Sequence, residues 1–221
     1  MLKQFVFFLI FFSTILFATA CNGSSAQKMT DAQRPVDTTR YGKIDTAYFA
    51  SGCFWCVEAV YERLYGVKEA VSGYSGGTTK NPTYEQVGAH ETGHAEAVAV
   101  FYDPKLITFE TLVKVYFGSQ NPTQVNGQGP DNGSPYRSII FYRNAAEQKI
   151  AETQKKLLGD SGKYSEPIAA EIVPFAVFYN AEDYHQNYER QHPENPYVQR
   201  VSIPRLHKME AQFPELLKKD K

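Results

Sequence analysis

A chain of 221 residues, 43% hydrophobic and 21% charged, has room for one globular domain with a real core and short extensions. Its 23 Lys and Arg against 24 Asp and Glu give a formal net charge of -1. That balance excludes a strongly basic, nucleic-acid-binding surface and an acidic tail.

The first 20 residues form a separate object. Lys3 is a small positive start, residues 5–17 are almost wholly apolar, and Ala18-Thr19-Ala20 precede Cys21. The apolar run is short for a membrane span and reads as a secretory signal peptide, residues 1–20. Small residues directly before a cysteine match a bacterial lipoprotein processing site, with Cys21 the lipidated first residue. Ala18 departs from the Leu usual at that place, and simple secretion after Ala20 is the alternative. Residues 21–44, rich in Ser, Thr, Gln, Gly and Asp, read as a flexible tether from a lipid anchor. The expected location is the bacterial cell envelope, facing the periplasm.

Residues 45–50 read as a strand. Phe54, Val57, Val60, Tyr61 and Leu64 then recur at helical spacing, with an end at Gly66. Between strand and helix stands Gly52-Cys53-Phe54-Trp55-Cys56, with two of the three cysteines and the single tryptophan. A thiol at such a junction meets free backbone N–H groups and the positive end of the helix dipole, which favour the nucleophilic thiolate. Cys53 is the candidate nucleophile, with Phe54 and Trp55 an apolar wall beside it. Export would place the pair in an oxidising compartment. A disulfide across two intervening residues closes too small a loop to stabilise much, so redox chemistry explains the pair better than stapling.

Residues 67–71 read as a second strand, and residues 73–84, with Gly73-Tyr74-Ser75-Gly76-Gly77 and Asn81-Pro82-Thr83-Tyr84, as a long Gly/Pro loop holding the Tyr84 phenol. Residues 94–102 form a strand with Ala95, Ala97, Ala99 and Phe101 on one face and Glu96 on the other. A carboxyl group there, buried near a thiol and aromatic rings, would keep its proton near neutrality and serve as an acid. A surface glutamate at a strand end is the plainer alternative. Thr108 caps a helix to Phe117, and residues 119–135 make a long polar loop of the kind that is functional or disordered. It carries Asp131 and leads into Tyr136-Arg137-Ser138 at the head of a strand over 136–142. Asn144 caps a helix to Leu158, closed by Gly159. A strand over 168–173 and short helices over 182–191 and 204–213 complete the chain. No internal repeat and no glycine-rich phosphate loop is present. The pattern predicts one two-layer α+β domain, helices on a mixed sheet.

Gly52-Cys53-Phe54-Trp55, the Gly73–Gly77 and Asn81–Tyr84 segments, Thr92-Gly93-His94-Ala95-Glu96, Tyr136-Arg137-Ser138 and Ala181-Glu182-Asp183-Tyr184-His185-Gln186 occur in one order. Together they resemble the A-type peptide methionine sulfoxide reductases over residues 45–200, leaving 201–221 as a C-terminal helical extension. The resemblance implies a ferredoxin-like α+β fold. It also implies reduction of methionine S-sulfoxide, free or in proteins, with no cofactor and with electrons from a thioredoxin-like donor or a dithiol. By that likeness Cys53 attacks the sulfoxide sulfur and Glu96 protonates its oxygen. Tyr84 and Tyr136 donate to the oxygen, Phe54 and Trp55 hold the methyl group, and Asp131 lies in the substrate pocket. The chain departs from many members in having no cysteine after Cys56. Tyr197-Val198 stands where some relatives carry one. Cys56, three residues from Cys53 and on the same helical face, is the expected resolving thiol. The loop sequences Ser134-Pro135-Tyr136 and Gln120-Asn121-Pro122 also differ from the family pattern. A zinc site from Cys53, Cys56, His90 and His94 is disfavoured because a metal would quench the thiolate. His185 and Asp183 are expected to be structural, and Tyr184 and Tyr188 to pack in the core. A thioredoxin-like disulfide oxidoreductase would need neither Glu96 nor the aromatic wall, and a non-catalytic lipoprotein would need only the anchor. A monomer is expected.

Overall fold

The computed structural model describes residues 39–219. The expected signal peptide and Cys21 lie outside these residues. The six-stranded sheet has the order β7-β6-β1-β3-β2-β8. Its strands are β1 (Asp45–Ala50), β2 (Val67–Ser75), β3 (Ala95–Tyr102), β6 (Ile139–Tyr142), β7 (Glu171–Pro174) and β8 (Phe178–Asn180). All neighbours are antiparallel except β6 and β7. A separate two-residue pair, β4 (Gly127–Gln128) with β5 (Asp131–Asn132), shapes the long polar loop. The expected α+β architecture on a mixed sheet is therefore present.

Every residue of β3 is buried, so this strand has cover on both faces. Val98, Val100 and Tyr102 point into the main core with Phe49, Tyr74, Val57, Tyr61, Leu112 and Tyr116. That core lies between the sheet and the helices α1 (Phe54–Glu62) and α3 (Phe109–Gly118). Phe49 stacks on Tyr61 at 5.0 Å. The opposite face holds Ala95, Ala97, Ala99 and Phe101, as the alternation predicts. There the returning chain supplies cover, with Phe175 stacked on Tyr48 at 3.9 Å.

Several boundaries differ from the sequence reading, for local reasons. β2 continues to Ser75 because Gly73 to Ser75 pair with both β3 and β8. The Tyr84 loop contains a short helix, α2 (Tyr84–Gly88), held by a reciprocal capping box between Thr83 and Gln86. β6 starts at Ile139, since Ser134–Tyr136 forms a 3-10 turn first. Helix α4 (Ala145–Asp160) runs through Gly159, and Gly162 takes the left-handed geometry instead. The 168–173 strand narrows to β7. The expected helix over 182–191 is broken by Asn187 at φ 56 into a 3-10 turn, Asp183–His185, and α5 (Tyr188–Gln191). Helix α6 (Ile203–Gln212) follows a π turn, Val198–Ser202. It is no appendage. Met209 is fully buried in the main core, and Phe213 lies close against Gly118 of α3.

Candidate active site

Cys53 is the N-cap residue of α1, at the end of the turn that leaves β1. The turn needs Gly52. Its φ is +74, and a Cβ there would stand 2.5 Å from Gln128 Cβ. The Gly52 N–H donates to the Tyr136 carbonyl. From the other side Arg205 of α6 clamps the turn: Nη1 donates to the Ser51 carbonyl at 2.7 Å, Nη2 to Ser51 Oγ at 2.8 Å and Nε to the Ser119 carbonyl at 2.8 Å.

Glu96 points from β3 at this helix start and is only 3% exposed. Its Oε2 accepts the Phe54 N–H at 2.9 Å. Burial pushes the Glu96 carboxyl up to about 8, with the charges of Asp131 and Cys56 adding to the rise. A protonated carboxylic acid therefore stands beside the thiols at neutral pH, and the surface-glutamate alternative falls.

The two thiols are both buried and reduced. Burial opposes charge on both of them. Burial pushes the Cys53 thiol well up, and the charges of Cys56 and Glu96 push the same way. The Trp55 N–H bond, the helix-start effect on which the sequence expectation rests, acts against this and loses. Cys56 is brought down to about 7, first by the hydrogen bond it accepts from the Cys53 thiol. The Arg205 charge and the nearby Ser202 and Tyr197 hydroxyls lower it further, against burial. The two thiols are hydrogen-bonded to each other and titrate as a pair.

Phe54 is buried and packs on Tyr74, Tyr84 and His185, at ring separations of 5.9, 6.3 and 4.9 Å. Trp55 is half-buried. Its ring stacks on Tyr188 at 3.7 Å and its Nε1 donates to His185 Nδ1 at 3.1 Å. His185 is buried and pushed down to about 4 by burial, so it is neutral. Its role is to orient Trp55, in line with the structural reading; its Nε2 has no partner among the described residues. Tyr188 packs on Trp55 rather than serving only the core.

Tyr84 and Tyr136 are half-buried, and the Glu96 and Cys53 charges act on both phenols, as does burial. Burial first, then those charges, push Tyr84 up to about 12, so it is a donor at neutral pH. Asp131 accepts the Tyr197 hydroxyl at 2.5 Å, and that hydroxyl lies 4.0 Å from Cys56 Sγ. The residues picked from sequence thus converge on one site.

Others were not picked. Glu182 accepts the Tyr84 N–H at 3.0 Å and the Tyr74 hydroxyl at 2.8 Å, fixing the start of α2. Its place in the Ala181–Gln186 motif was the available signal. Tyr197 and Arg205 left no local signal, because their contacts span more than 60 residues. His94, considered as a zinc ligand, accepts the Gly77 N–H at Nδ1 and meets the Thr79 carbonyl at Nε2. Both ring nitrogens are taken by backbone. No group of three or more His, Cys, Asp or Glu among the described residues could hold a metal ion.

Comparison with known proteins points one way. A family model described as peptide methionine sulfoxide reductase matches residues 45–217. The peptide methionine sulfoxide reductase MsrA of Pasteurella multocida is 46% identical over 172 residues, covering 78% of this chain and 98% of the relative. That of Picrophilus torridus is 46% identical over 169 residues, covering 76% and 95%. The methionine sulfoxide reductase A structure from Corynebacterium diphtheriae superposes with a TM-score of 0.60 at 35% identity, covering 69% of this chain and 77% of that one. Reduced Mxr1 from Saccharomyces cerevisiae gives 0.62 at 33% identity, covering 69% and 88%.

Proposed function

The chain belongs to the peptide methionine sulfoxide reductase family and reduces methionine sulfoxide, and we propose that Cys53 is the attacking sulfur, Glu96 the acid and Cys56 the resolving thiol. The carrying observation is the buried Glu96 carboxyl, held protonated to about 8 beside the Cys53–Cys56 pair.

Cys53 sulfur attacks the sulfoxide sulfur while Glu96 gives its proton to the sulfoxide oxygen. Tyr84 and Tyr136 donate to that oxygen. The oxygen passes as hydroxyl to the Cys53 sulfur while its bond to the methionine sulfur and the new sulfur–sulfur bond break, so methionine leaves with two more electrons on its sulfur and Cys53 is left as sulfenic acid. Cys56 then attacks Cys53, a disulfide forms and water departs. Two electrons and two protons from a thioredoxin-like dithiol restore the pair. Phe54 and Trp55 supply the surface for the methyl group, and Asp131 with Tyr197 bounds the pocket. The likeness to the A-type family favours the S epimer, free or peptide-bound. The β1-α1-β2-β3-α3-β6 succession, with central order β6-β1-β3-β2, supports a ferredoxin-like description of the core.

The purified protein, given S and R epimers of a methionine sulfoxide peptide with dithiothreitol, should reduce the S epimer alone. Activity in Cys53→Ser would remove Cys53 as nucleophile. Cys56→Ser should complete one turnover and then stall with thioredoxin; full cycling would end its resolving role.

The leader and Cys21 support an exported, lipid-anchored protein on the periplasmic side, acting as a monomer on oxidised envelope proteins. Labelled palmitate should enter the native protein in cells and not Cys21→Ala. Equal labelling of the two would refute the anchor.

A further inference from the structure

The oxygen side of the site is carried by a short piece of chain. Tyr84 opens α2, a helix of five residues whose one buried side chain is Val87. Residues 78–83, which lead into it, are exposed or half-buried apart from Pro82. The Thr83–Gln86 capping box closes this helix on itself and ties it to no other element. The tie comes from Glu182, in the turn that follows β8. Its Oε1 accepts the Tyr84 N–H at 3.0 Å and its Oε2 accepts the Tyr74 hydroxyl at 2.8 Å. Tyr74 is a fully buried residue of β2, so the carboxylate is fixed to the central sheet. We infer that Glu182 is a positioning residue for sulfoxide reduction: pinned to the sheet through Tyr74, it holds the Tyr84 backbone where the phenol meets the sulfoxide oxygen. This rests on the reading of Tyr84 as a donor to that oxygen given above.

Different atoms of Glu182 serve the two sides of the pocket. Its main-chain carbonyl accepts the His185 N–H at 2.9 Å and closes the 3-10 turn whose His185 orients Trp55. Its side chain serves Tyr84. A side-chain change at Glu182 therefore disturbs the oxygen side and spares the methyl side. The Tyr84 ring lies near Phe54 and His185, at 6.3 and 4.4 Å. Such apolar contacts are non-directional and let a ring slide. The directional bond is the one that fixes the backbone carrying the ring.

Two phenols, Tyr84 and Tyr136, serve the same oxygen, so a displaced Tyr84 is buffered while Tyr136 remains. The test therefore uses the purified full chain in a Tyr136→Phe background, where Tyr84 is the one phenol left to donate. The rate of a single turnover on a methionine sulfoxide peptide is measured for Glu182→Ala, Tyr84→Phe and the two combined. Each change alone should slow it about tenfold, since small misplacements of a reacting geometry are costly. The combination should be no slower than Tyr84→Phe alone, because a phenol that is gone cannot be misplaced. The half-saturating peptide concentration should stay in place, since the Trp55 wall is untouched. Glu182→Gln should keep the background rate: its amide oxygen accepts the Tyr84 N–H and its amide N–H donates to the Tyr74 hydroxyl oxygen.

An unchanged rate in Glu182→Ala overturns the inference. So does slowing by the same factor whether or not Tyr84 keeps its hydroxyl, the mark of a merely structural role, and so does equal slowing by Gln and Ala. If Glu182→Ala does not fold, Tyr74→Phe takes its place in the cycle, because it removes the pin and keeps the ring. It should then slow the turnover about threefold with Tyr84 present and not at all in Tyr84→Phe. Equal slowing in both, or none in either, overturns the inference. A Tyr84→Phe change that left the rate untouched would withdraw the donor reading and the inference with it. A slowed Tyr84→Phe with additive Glu182→Ala would end the inference alone.

Discussion

Glu96 shows how one side chain is given an acid's work by its surroundings. On β3 it faces α1 rather than the alanine-rich face, and burial raises it to about 8 from an ordinary 4.5. The hydrogen bond it accepts from the Phe54 N–H pulls the other way and is outweighed by burial and by Asp131 and Cys56. A raised value means the proton is present below about 8 and lost above it. The single-turnover rate of sulfoxide reduction should therefore fall as pH rises through about 8. Glu96→Gln keeps an oxygen for the Phe54 N–H but has no proton to transfer. It should slow that step by roughly 10²–10⁴ and remove the alkaline fall. Quench-flow measurement of methionine formation across pH checks both. An alkaline limb that survives in Glu96→Gln would move the acid role elsewhere. The carboxyl type, its strand face and its candidate acid role were legible in the sequence. The bracing of the turn before Cys53 was not, because it comes from Arg205, 154 positions beyond Ser51.

Helix α1 is set by a second buried carboxyl. Glu58 is 2% exposed, one turn beyond Trp55. Its Oε1 accepts the Asn187 N–H at 2.5 Å, and Ser72 Oγ donates to Oε2. It thereby ties α1 to β2 and to the left-handed break that starts α5, the helix whose Tyr188 stacks on Trp55. This explains why the 182–191 segment could not be one helix: Asn187 turns its N–H to Glu58. Helix periodicity carries no trace of such a bond, whereas the Thr83-x-x-Gln86 box and the Thr108 and Asn144 caps were readable locally. Burial raises Glu58 from 4.5 to about 8. Between those values the folded chain holds a proton that the unfolded chain has released, so stability falls as pH climbs through that window. Glu58→Gln mimics the protonated form, with its amide facing the Ser72 hydroxyl, which can also accept. It should flatten the loss of stability between about pH 5 and 8, and at the upper end match or exceed the native protein. Glu58→Ala leaves the buried Ser72 hydroxyl and the half-buried Asn187 N–H unpaired and should cost about 2–4 kcal/mol. Urea unfolding across pH separates the two. Equal damage from Gln and Ala would show that shape, not protonation, matters at this position.

At the scale of the whole molecule, the site is closed by a piece of chain that looked dispensable. The strand-helix succession and the ordered motifs made the sheet, the main core and most of the site legible. Residues 201–221 carried no motif and read as an extension. Their meaning is tertiary: α6 places Met209 in the core and Arg205 against the turn before Cys53. These two residues lie four apart on one helix, yet their contributions are separable. Met209 acts by volume. Truncating it removes buried methylene and sulfur contacts and leaves a cavity, at a cost of about 2–5 kcal/mol. Arg205 acts by three hydrogen bonds to Ser51 and Ser119, none of which involves Met209. Met209→Ala should therefore lower the urea midpoint markedly while the folded enzyme keeps its single-turnover rate. Arg205→Ala should do the reverse, slowing sulfoxide reduction through a loosened Ser51-Gly52 turn more than it lowers the urea midpoint. If Met209→Ala slowed the reaction as far as Arg205→Ala, the docking of α6 rather than these three bonds would hold the turn.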